Sequence, residues 1–542
     1  VEIPAGYWYN NLKHWFDCQN GDGGWQLVGG GKDGKNSTPT MSVAGLASVF
    51  MGVDKVLHKQ FIRCVDHSQQ LARVTAGLKH LDQNFEKGLN QRCEDIFYYL
   101  YSVKRVGLAS GYKYFANRDW YKAGAARLLG LQQVFGKWGK HWQCAYALLF
   151  LSRGQNPVAV NKLKYKGMWN NRPRDLAHLT GWMNRQFERE INWQIIDLKS
   201  PVAEWHDAGL LYISGSSEPT FTEEELEKLR TFVLQGGTIF SHAQCEEEGF
   251  STAMKQIYAK LFPGYRMEDL DTDHLIFNIH YKLTGEPRVS AISNGTRPLV
   301  LHVDEDISKI WEMNLAQTKR RDFEFAANLV IYVTGQINNL RHRGQTHWFS
   351  AGEAETDHSA GLGLLKWKGN FNPEPFALKR FQTMMARHCR LKLEVESIAM
   401  PGLSTSDIRT AILTGTGKIE LSDVEKRALK TYVESGGTLI VNAAGGDSSF
   451  HHSSSKLLKE IFPGYQLVKF SDTSRLFSIP GMKITDLDYR ITARSRIGDT
   501  TAAQLFVIRI GKRPAVILSR EDLYCGLLGN QSGAIDGYVP DA

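Results

Sequence analysis

Thr231-Phe-Val-Leu-Gln-Gly-Gly-Thr-Ile-Phe240 returns as Thr431-Tyr-Val-Glu-Ser-Gly-Gly-Thr-Leu-Ile440, an offset of 200 residues. Phe262-Pro-Gly-Tyr265 returns unchanged at the same offset as Phe462-Pro-Gly-Tyr465. Between these anchors Gly215 matches Gly415, Thr222 matches Ser422, Glu225 matches Glu425 and Phe250 matches Phe450. A period this long exceeds any solenoid unit, so it reads as two tandem copies of a whole domain. Residues required by the fold should recur in both copies, whereas a working site can survive in one.

Each copy alternates strands and helices. Gly209-Leu-Leu-Tyr-Ile-Ser-Gly215 is a short apolar strand, and Thr222-Glu-Glu-Glu225 is a capping box that opens a helix. Leu226, Leu229, Phe232 and Val233 form the helix's apolar face. Gly236-Gly237 stops it before the strand Thr238-Ile-Phe-Ser-His242. Copy two repeats each step: Ala411–Gly415, the Ser422–Glu425 box, Gly436-Gly437 and Thr438–Asn442. Short strand–helix–strand connections imply parallel sheets. Gly295-Thr-Arg-Pro-Leu-Val300 and Gly511-Lys-Arg-Pro-Ala-Val516 mark a later hairpin in each copy.

The first part of the chain reads differently. Ala125–Leu131 and Cys144–Leu151 place apolar residues at helical spacing. Gln19 before Gly21-Asp-Gly-Gly-Trp25, and Gln133 before Gly136-Lys-Trp138, suggest helix joints. There a Gln satisfies open backbone groups and an indole covers the turn. Residues 1–165 carry 21 Lys+Arg against 11 Asp+Glu, while the rest carries 44 against 46. The basic excess therefore sits at one end, and predicts a protein partner, an anionic polymer or a lipid surface there. No sequence-specific nucleic-acid motif accompanies it. No run approaches the ~18 apolar residues of a membrane span.

Gln19–Trp25 and Gln133–Trp138 resemble the QW-type repeats of squalene cyclases and related prenyltransferase α/α toroids. That resemblance covers about 165 residues, fewer than a closed toroid needs, and so implies a partial toroid. The acidic motifs of a terpenoid or prenyl-transfer enzyme are absent from it, so that reading is disfavoured. Trp367-Lys-Gly-Asn-Phe-Asn-Pro-Glu-Pro375, its weaker counterpart Tyr165–Pro173, Phe-Pro-Gly-Tyr, Asp271-Thr-Asp-His274 and Gly533–Tyr538 resemble a bacterial family of unknown function. That family is related to class I glutamine amidotransferases and often follows such toroid repeats. The resemblance implies a partial toroid over 1–164 and a flavodoxin-like, glutamine amidotransferase-like α/β domain over 165–341. A linker over 342–360 and a second copy over 361–542 complete the expected order, both copies with mainly parallel sheets.

In such sheets ligands sit at the carboxyl ends of the strands. The ligand-binding candidates are therefore Ser214, Gly215 and His242 in copy one, and Thr414, Gly415, Asn442 and Asp447 in copy two. The amidotransferase relationship suggests Cys245 as nucleophile and His274 as base. Gln244 and Glu246 flank Cys245 where a nucleophile elbow needs small residues, and an anionic neighbour raises a thiol pKa. Gly445 and Ser474 stand at the matching places in copy two. The leading expectation is a non-catalytic, exported binding or scaffold protein; the alternative is a cysteine-dependent hydrolase or amidotransferase-like enzyme.

No cofactor or metal is expected. His451-His452 beside Asp447 reads as solvated, and the seven cysteines lack CxxC spacing and read as buried free thiols. Replacing Cys245 by alanine is accordingly expected to leave folding intact. Copy one carries an apolar helix, Phe323–Val333, after its Arg-Pro strand; copy two has no counterpart before Ala542. The expectation is that a further helix of the chain, or a second copy in a homo-oligomer, covers that face.

Overall fold

The computed structural model describes residues 3–27, 37–57, 61, 68–92, 95–245, 247–284, 286–348, 354–470, 474–479, 482–484 and 486–540. The helical region contains α1 (Ala5–Asp17), α2 (Pro39–Val56), α3 (Ser68–Leu89), α4 (Asp95–Ser110), α5 (Trp120–Gly130) and α6 (His141–Gly154). A small hairpin, β1 (Tyr114–Phe115) with β2 (Arg118–Asp119), lies before α5. α2 packs on α1, α3 and α4, and α4 on α6.

The helix joints follow the expected chemistry with one change of register. Gln19 Nε2 donates to the Gly23 carbonyl, and the buried Trp25 indole donates to the Trp15 carbonyl, at 2.9 and 2.8 Å. At the second joint Gln132, not Gln133, donates to the Gly136 carbonyl (2.9 Å), while Trp138 donates to the Leu128 carbonyl (2.8 Å). Gln133 is exposed. The spacing Gln-x5-Trp, with a carbonyl acceptor ten residues before each Trp, is therefore common to both joints.

Copy one is built from β3 (Val158–Lys164), α7 (Asp175–Phe187), β4 (Asn192–Asp197), β5 (Leu210–Gly215), α8 (Glu223–Leu234), β6 (Thr238–Ala243) and α9 (Glu248–Leu261). β7 (Met267–Asp269), β8 (Ser290–Ser293), β9 (Pro298–Val303), α10 (Ser308–Glu312) and α11 (Arg320–Thr334) complete it. Copy two runs β10 (His358–Lys366), α12 (Ala377–Cys389), β11 (Leu391–Ala399), β12 (Thr410–Gly415), α13 (Asp423–Glu434), β13 (Thr438–Ala443), α14 (Ser448–Ile461) and β14 (Val468–Lys469). After these come β15 (Ser478–Ile479), β16 (Met482–Lys483), α15 (Ile491–Ile497), β17 (Leu505–Ile510) and β18 (Arg513–Ser519).

The sheets have the same order, β4-β3-β5-β6-β9-β8-β7 and β11-β10-β12-β13-β18-β17-β14. Each has five parallel strands extended by an antiparallel hairpin. Both capping boxes form, Thr222 with Glu225 and Ser422 with Glu425.

Two boundaries move. The first strand of copy one is β3, which begins at Val158 and not after 164, and β10 begins at His358 inside the expected linker 342–360. Asn161 and Lys162 hid β3 from a reading based on apolar alternation. Both are buried polar residues, satisfied only by distant partners.

The uncovered face of copy two is real but reduced. In copy one α11 buries Phe240 and Leu301 to 1% and 0% exposure. Their sheet equivalents Ile440 and Ile517 stay half-buried. Tyr524 and Leu528 of the same chain close the face over Leu364 and Ile412.

Gly237 and Gly437 explain why the repeated Gly-Gly-Thr entry is invariant between copies. A Cβ at Gly237 would lie 2.3 Å from the Phe232 ring, and one at Gly437 2.4 Å from the Tyr432 ring. Gly237→Ala and Gly437→Ala should each lower stability by about 1–3 kcal/mol through overpacking. Gly264→Ala, with nothing within 4 Å, should change it by less than about 0.5 kcal/mol. Urea denaturation of the three variants checks the ranking.

Candidate functional site

At the carboxyl ends of the copy-one strands lies a chain of buried polar side chains. Lys162 on β3 donates through Nζ to both Asp175 oxygens (2.9 and 3.0 Å) and to the Arg172 carbonyl (2.8 Å). Tyr212, beside Lys162 on β5, has its hydroxyl 3.0 Å from Asp175 Oδ2 and 2.7 Å from His242 Nε2. His242 Nδ1 lies 2.9 Å from the Ala243 carbonyl. Lys162, Asp175, Tyr212 and His242 are each at most 1% exposed. They sit where they do because α7 begins at Asp175, which points its carboxylate at the neighbouring strands.

Protonation in this chain is constrained. Burial holds His242 below the usual imidazole value and drives Tyr212 well above the usual phenol value. A neutral His242 must use Nδ1–H for the Ala243 carbonyl, which can only accept. The single Tyr212 O–H donates to Asp175 Oδ2, and the same hydroxyl oxygen lies against His242 Nε2. Glu312, at the end of α10, accepts the Arg174 backbone N–H at 2.7 Å through Oε2. Burial, reinforced by the Asp175 charge, pushes its carboxyl up to about 8.

A second set surrounds Cys245. The residue follows β6 with φ 63°, a left-handed conformation that costs a side-chain-bearing residue on the order of 1–2 kcal/mol. Its N–H donates to Asp306 Oδ2 (2.9 Å), and Arg172 Nη2 reaches both Asp306 (2.8 Å) and Cys245 Sγ (3.8 Å). Gly445 holds the equivalent place with φ 64°, and its N–H donates to Asp522 Oδ1 at 2.9 Å. An aspartate clamp on a left-handed residue is thus a property of the fold, shared by both copies.

Cys245 is disulfide-bonded, which corrects the reading of all seven cysteines as buried free thiols. Cys64 and Cys93 lie outside the described residues. Cys18, Cys144, Cys389 and Cys525 are free, and of these Cys525 is buried. His274 makes its contacts elsewhere. Its Nδ1 accepts from the Ile276 N–H (3.3 Å) and its Nε2 lies 3.4 Å from the Tyr332 hydroxyl. Among the described residues no hydrogen bond joins His274 to Cys245.

The remaining candidates are closed in by their own domain. Tyr165 donates to the Ser214 carbonyl at 3.1 Å, and its hydroxyl would lie 2.2 Å from a Cβ on Gly215. Trp367 donates to the Thr414 carbonyl (2.9 Å) and packs on Gly415 in the same way. Asn442 donates to the Glu521 carbonyl (3.2 Å) and accepts from the Tyr524 N–H (3.2 Å). Asp447 caps α14, accepting from Phe450 and Gly417 N–H at 2.7 and 3.0 Å, and this carboxylate is engaged away from His451-His452. Among the described residues no cluster of three or more metal-ligating side chains occurs.

Sheet register shows what separates the copies. Lys162, Tyr212 and His242 occupy the places of Leu364, Ile412 and Asn442, and Asp175 and Ala377 each open their helix. Copy two replaces Lys162, Asp175 and Tyr212 with apolar side chains and His242 with the hydrogen-bonded Asn442. Sequence reasoning missed Lys162, Asp175, Tyr212 and Arg172. The signal that could have found them is the Tyr165-Lys-Gly and Trp367-Lys-Gly pair, which sets a local offset of 202.

Removing one partner of a buried ion pair costs about 3–5 kcal/mol, whereas replacing both by apolar groups is often neutral. Lys162→Leu alone should therefore be strongly destabilising, and Lys162→Leu with Asp175→Ala should recover most of the loss in thermal denaturation. Glu312 makes a separate prediction. Its folded pKa lies above its unfolded value, so its contribution is fully present below about pH 4.5 and is lost as pH rises toward 8. Glu312→Gln should gain on the wild type between pH 5 and pH 8, on the order of one to a few kcal/mol; parallel pH–stability curves would contradict this.

Comparison with known proteins bears on the two α/β domains. No curated protein matches the chain. A solved structure of a protein provisionally named a phosphosugar isomerase, from Silicibacter pomeroyi DSS-3, shares 9% identity and a TM-score of 0.14. It covers 57% of this chain and 88% of its own. The family described as a domain of unknown function (DUF4159) matches residues 159–334 and again 366–536, more than half of the chain. The first stretch takes in copy one from β3 to α11 and the second runs from the end of β10 past β18, and the chain belongs to the DUF4159 family, carrying its domain twice.

Proposed function

We propose that this chain is a non-catalytic scaffold that works outside the reducing cytosol. The observation that carries this reading is the closure of both sheet ends. Tyr165 and Trp367 occupy the crevice where a ligand of such a sheet would sit. The disulfide on Cys245 removes the thiolate a nucleophile would need. Disulfides persist in oxidising compartments, which supports export. Among the described residues no helix is long and apolar enough to cross a membrane.

Within this reading the helical region is a partial α/α toroid of the squalene-cyclase and prenyltransferase type, supported by the two Gln-x5-Trp joints. The two α/β domains are flavodoxin-like relatives of class I glutamine amidotransferases in which the site has been closed. Part of the basic charge of the helical region is used within the chain. Lys113, fully buried, pairs with Asp207 of copy one at 2.8 Å. The exposed remainder is the surface for an acidic partner.

One observation favours a second reading, a cysteine-dependent hydrolase or amidotransferase-like enzyme. Cys245 lies between β6 and α9 with positive φ, as the nucleophile of a strand–turn–helix elbow does. Iodoacetamide labelling at neutral pH, mapped by mass spectrometry, separates the two. The scaffold reading expects Cys245 to stay unlabelled until the protein is reduced. Rapid, selective labelling of the untreated protein would sink it. The disulfide also revises the expectation that Cys245→Ala leaves folding intact: losing the cross-link should cost about 2–4 kcal/mol.

A further inference from the structure

The two copies are joined head to tail through a buried ion pair. Arg297, at the mouth of β9, donates from Nε to Glu374 Oε1 at 2.7 Å and from Nη2 to Oε2 at 3.2 Å. The same guanidinium holds the Gly237 and Val233 carbonyls that end α8, at 2.9 and 2.7 Å. Asn294 and Thr296 add bonds to Glu374 at 2.9 and 3.2 Å. The loop Gly369–Pro375 of copy two thus seats its glutamate on copy one, beside a cleft of about 680 Å3 that Phe262-Pro-Gly-Tyr265 helps to line.

Copy two carries the same arginine at the matching edge. Arg513 Nη1 and Nη2 hold the Gly437 and Val433 carbonyls at 2.7 Å each, reproducing the posture of Arg297. Arg513 Nε has no hydrogen-bond partner among the described residues. Around it Lys512 is exposed where Thr296 is buried, Ile510 is half-buried where Asn294 is buried, and Tyr465 is 38% exposed. Lys512 in place of Thr296 adds a second cation to the edge. The edge thus presents a guanidinium held in the posture that receives a carboxylate in copy one.

We infer that the Arg513–Lys512 edge of copy two docks an acidic, proline-flanked loop of a partner protein, as Arg297 docks Glu374. This deepens the scaffold reading and rests on it, because it supplies the partner class for one face. Charge complementarity carries the assignment: a fixed guanidinium whose Nε–H and second Nη2–H are open among the described residues, as those of Arg297 are used for Glu374, and a neighbouring ammonium favour a single carboxylate on a short extended loop.

The test uses the full chain and a fluorescent, N-acetylated peptide of residues 369–375, Gly-Asn-Phe-Asn-Pro-Glu-Pro, followed by polarisation. Saturable binding is expected, about tenfold weaker with Gln in place of the peptide's Glu and about tenfold weaker for the Arg513→Gln chain. Lys512→Ala, which leaves the α13 carbonyls held, should weaken binding by a smaller factor and guards against a folding defect in Arg513→Gln. No saturable binding, or binding indifferent to both the peptide Glu and Arg513, overturns the inference. A self-association of the chain that the peptide displaces would also overturn it, by assigning the edge to a second copy. The Cys245 labelling result is independent of this assay, so failure here leaves the scaffold reading to that measurement.

Discussion

One guanidinium organises much of the molecule. Arg297 closes the C-terminus of α8, opens β9 and receives Glu374 from the next domain, all while 1% exposed. A charge this deep is tolerated only when its donors are met and an opposite charge lies close. Meeting that condition fixes the helix against the sheet within copy one and fixes copy two against copy one. The tandem arrangement is therefore a consequence of desolvation: the interface must exist for Arg297 to be buried.

The same logic operates at the other edge of copy one. Arg172 stands where copy two has Glu374 and reaches the Phe61 carbonyl of the helical region at 2.7 Å. Arg174 of the same loop pairs with Asp54 at 2.5 Å. One loop position thus serves as the domain's docking edge in both copies, with opposite charge because its neighbours differ. The chain is a file of units joined by this loop.

Divergence inside the copies follows a different rule. The ionic chain Lys162–Asp175–Tyr212 and its apolar counterpart Leu364–Ala377–Ile412 fill the same layer between sheet and helix, with His242 and the polar Asn442 at its end. Either set packs there, since a satisfied polar network and an apolar cluster are alternative solutions to burial. What both copies retain is geometric: the left-handed residue at Cys245 or Gly445, its aspartate clamp, and the aromatic ring of Tyr165 or Trp367 at the strand end. These are the features that close the crevice.

Sequence alone determined the duplication, the βαβ order, the capping boxes, the glycine stops and the helix joints. Each depends on contacts within a few residues or on a repeat that can be matched by eye. It misplaced the glutamine of the second joint by one position, since neighbouring glutamines differ only in which one faces the turn. It started copy one too late, because Asn161 and Lys162 look like surface residues until their partners, Trp205 and Asp175, are known. Tertiary structure decided that Ser214, Gly215, His242, Thr414, Gly415 and Asn442 are sealed, that Cys245 is oxidised and that His274 faces Tyr332. Burial and pairing between residues far apart in the chain are settled only when strands and helices from the whole domain have closed around them.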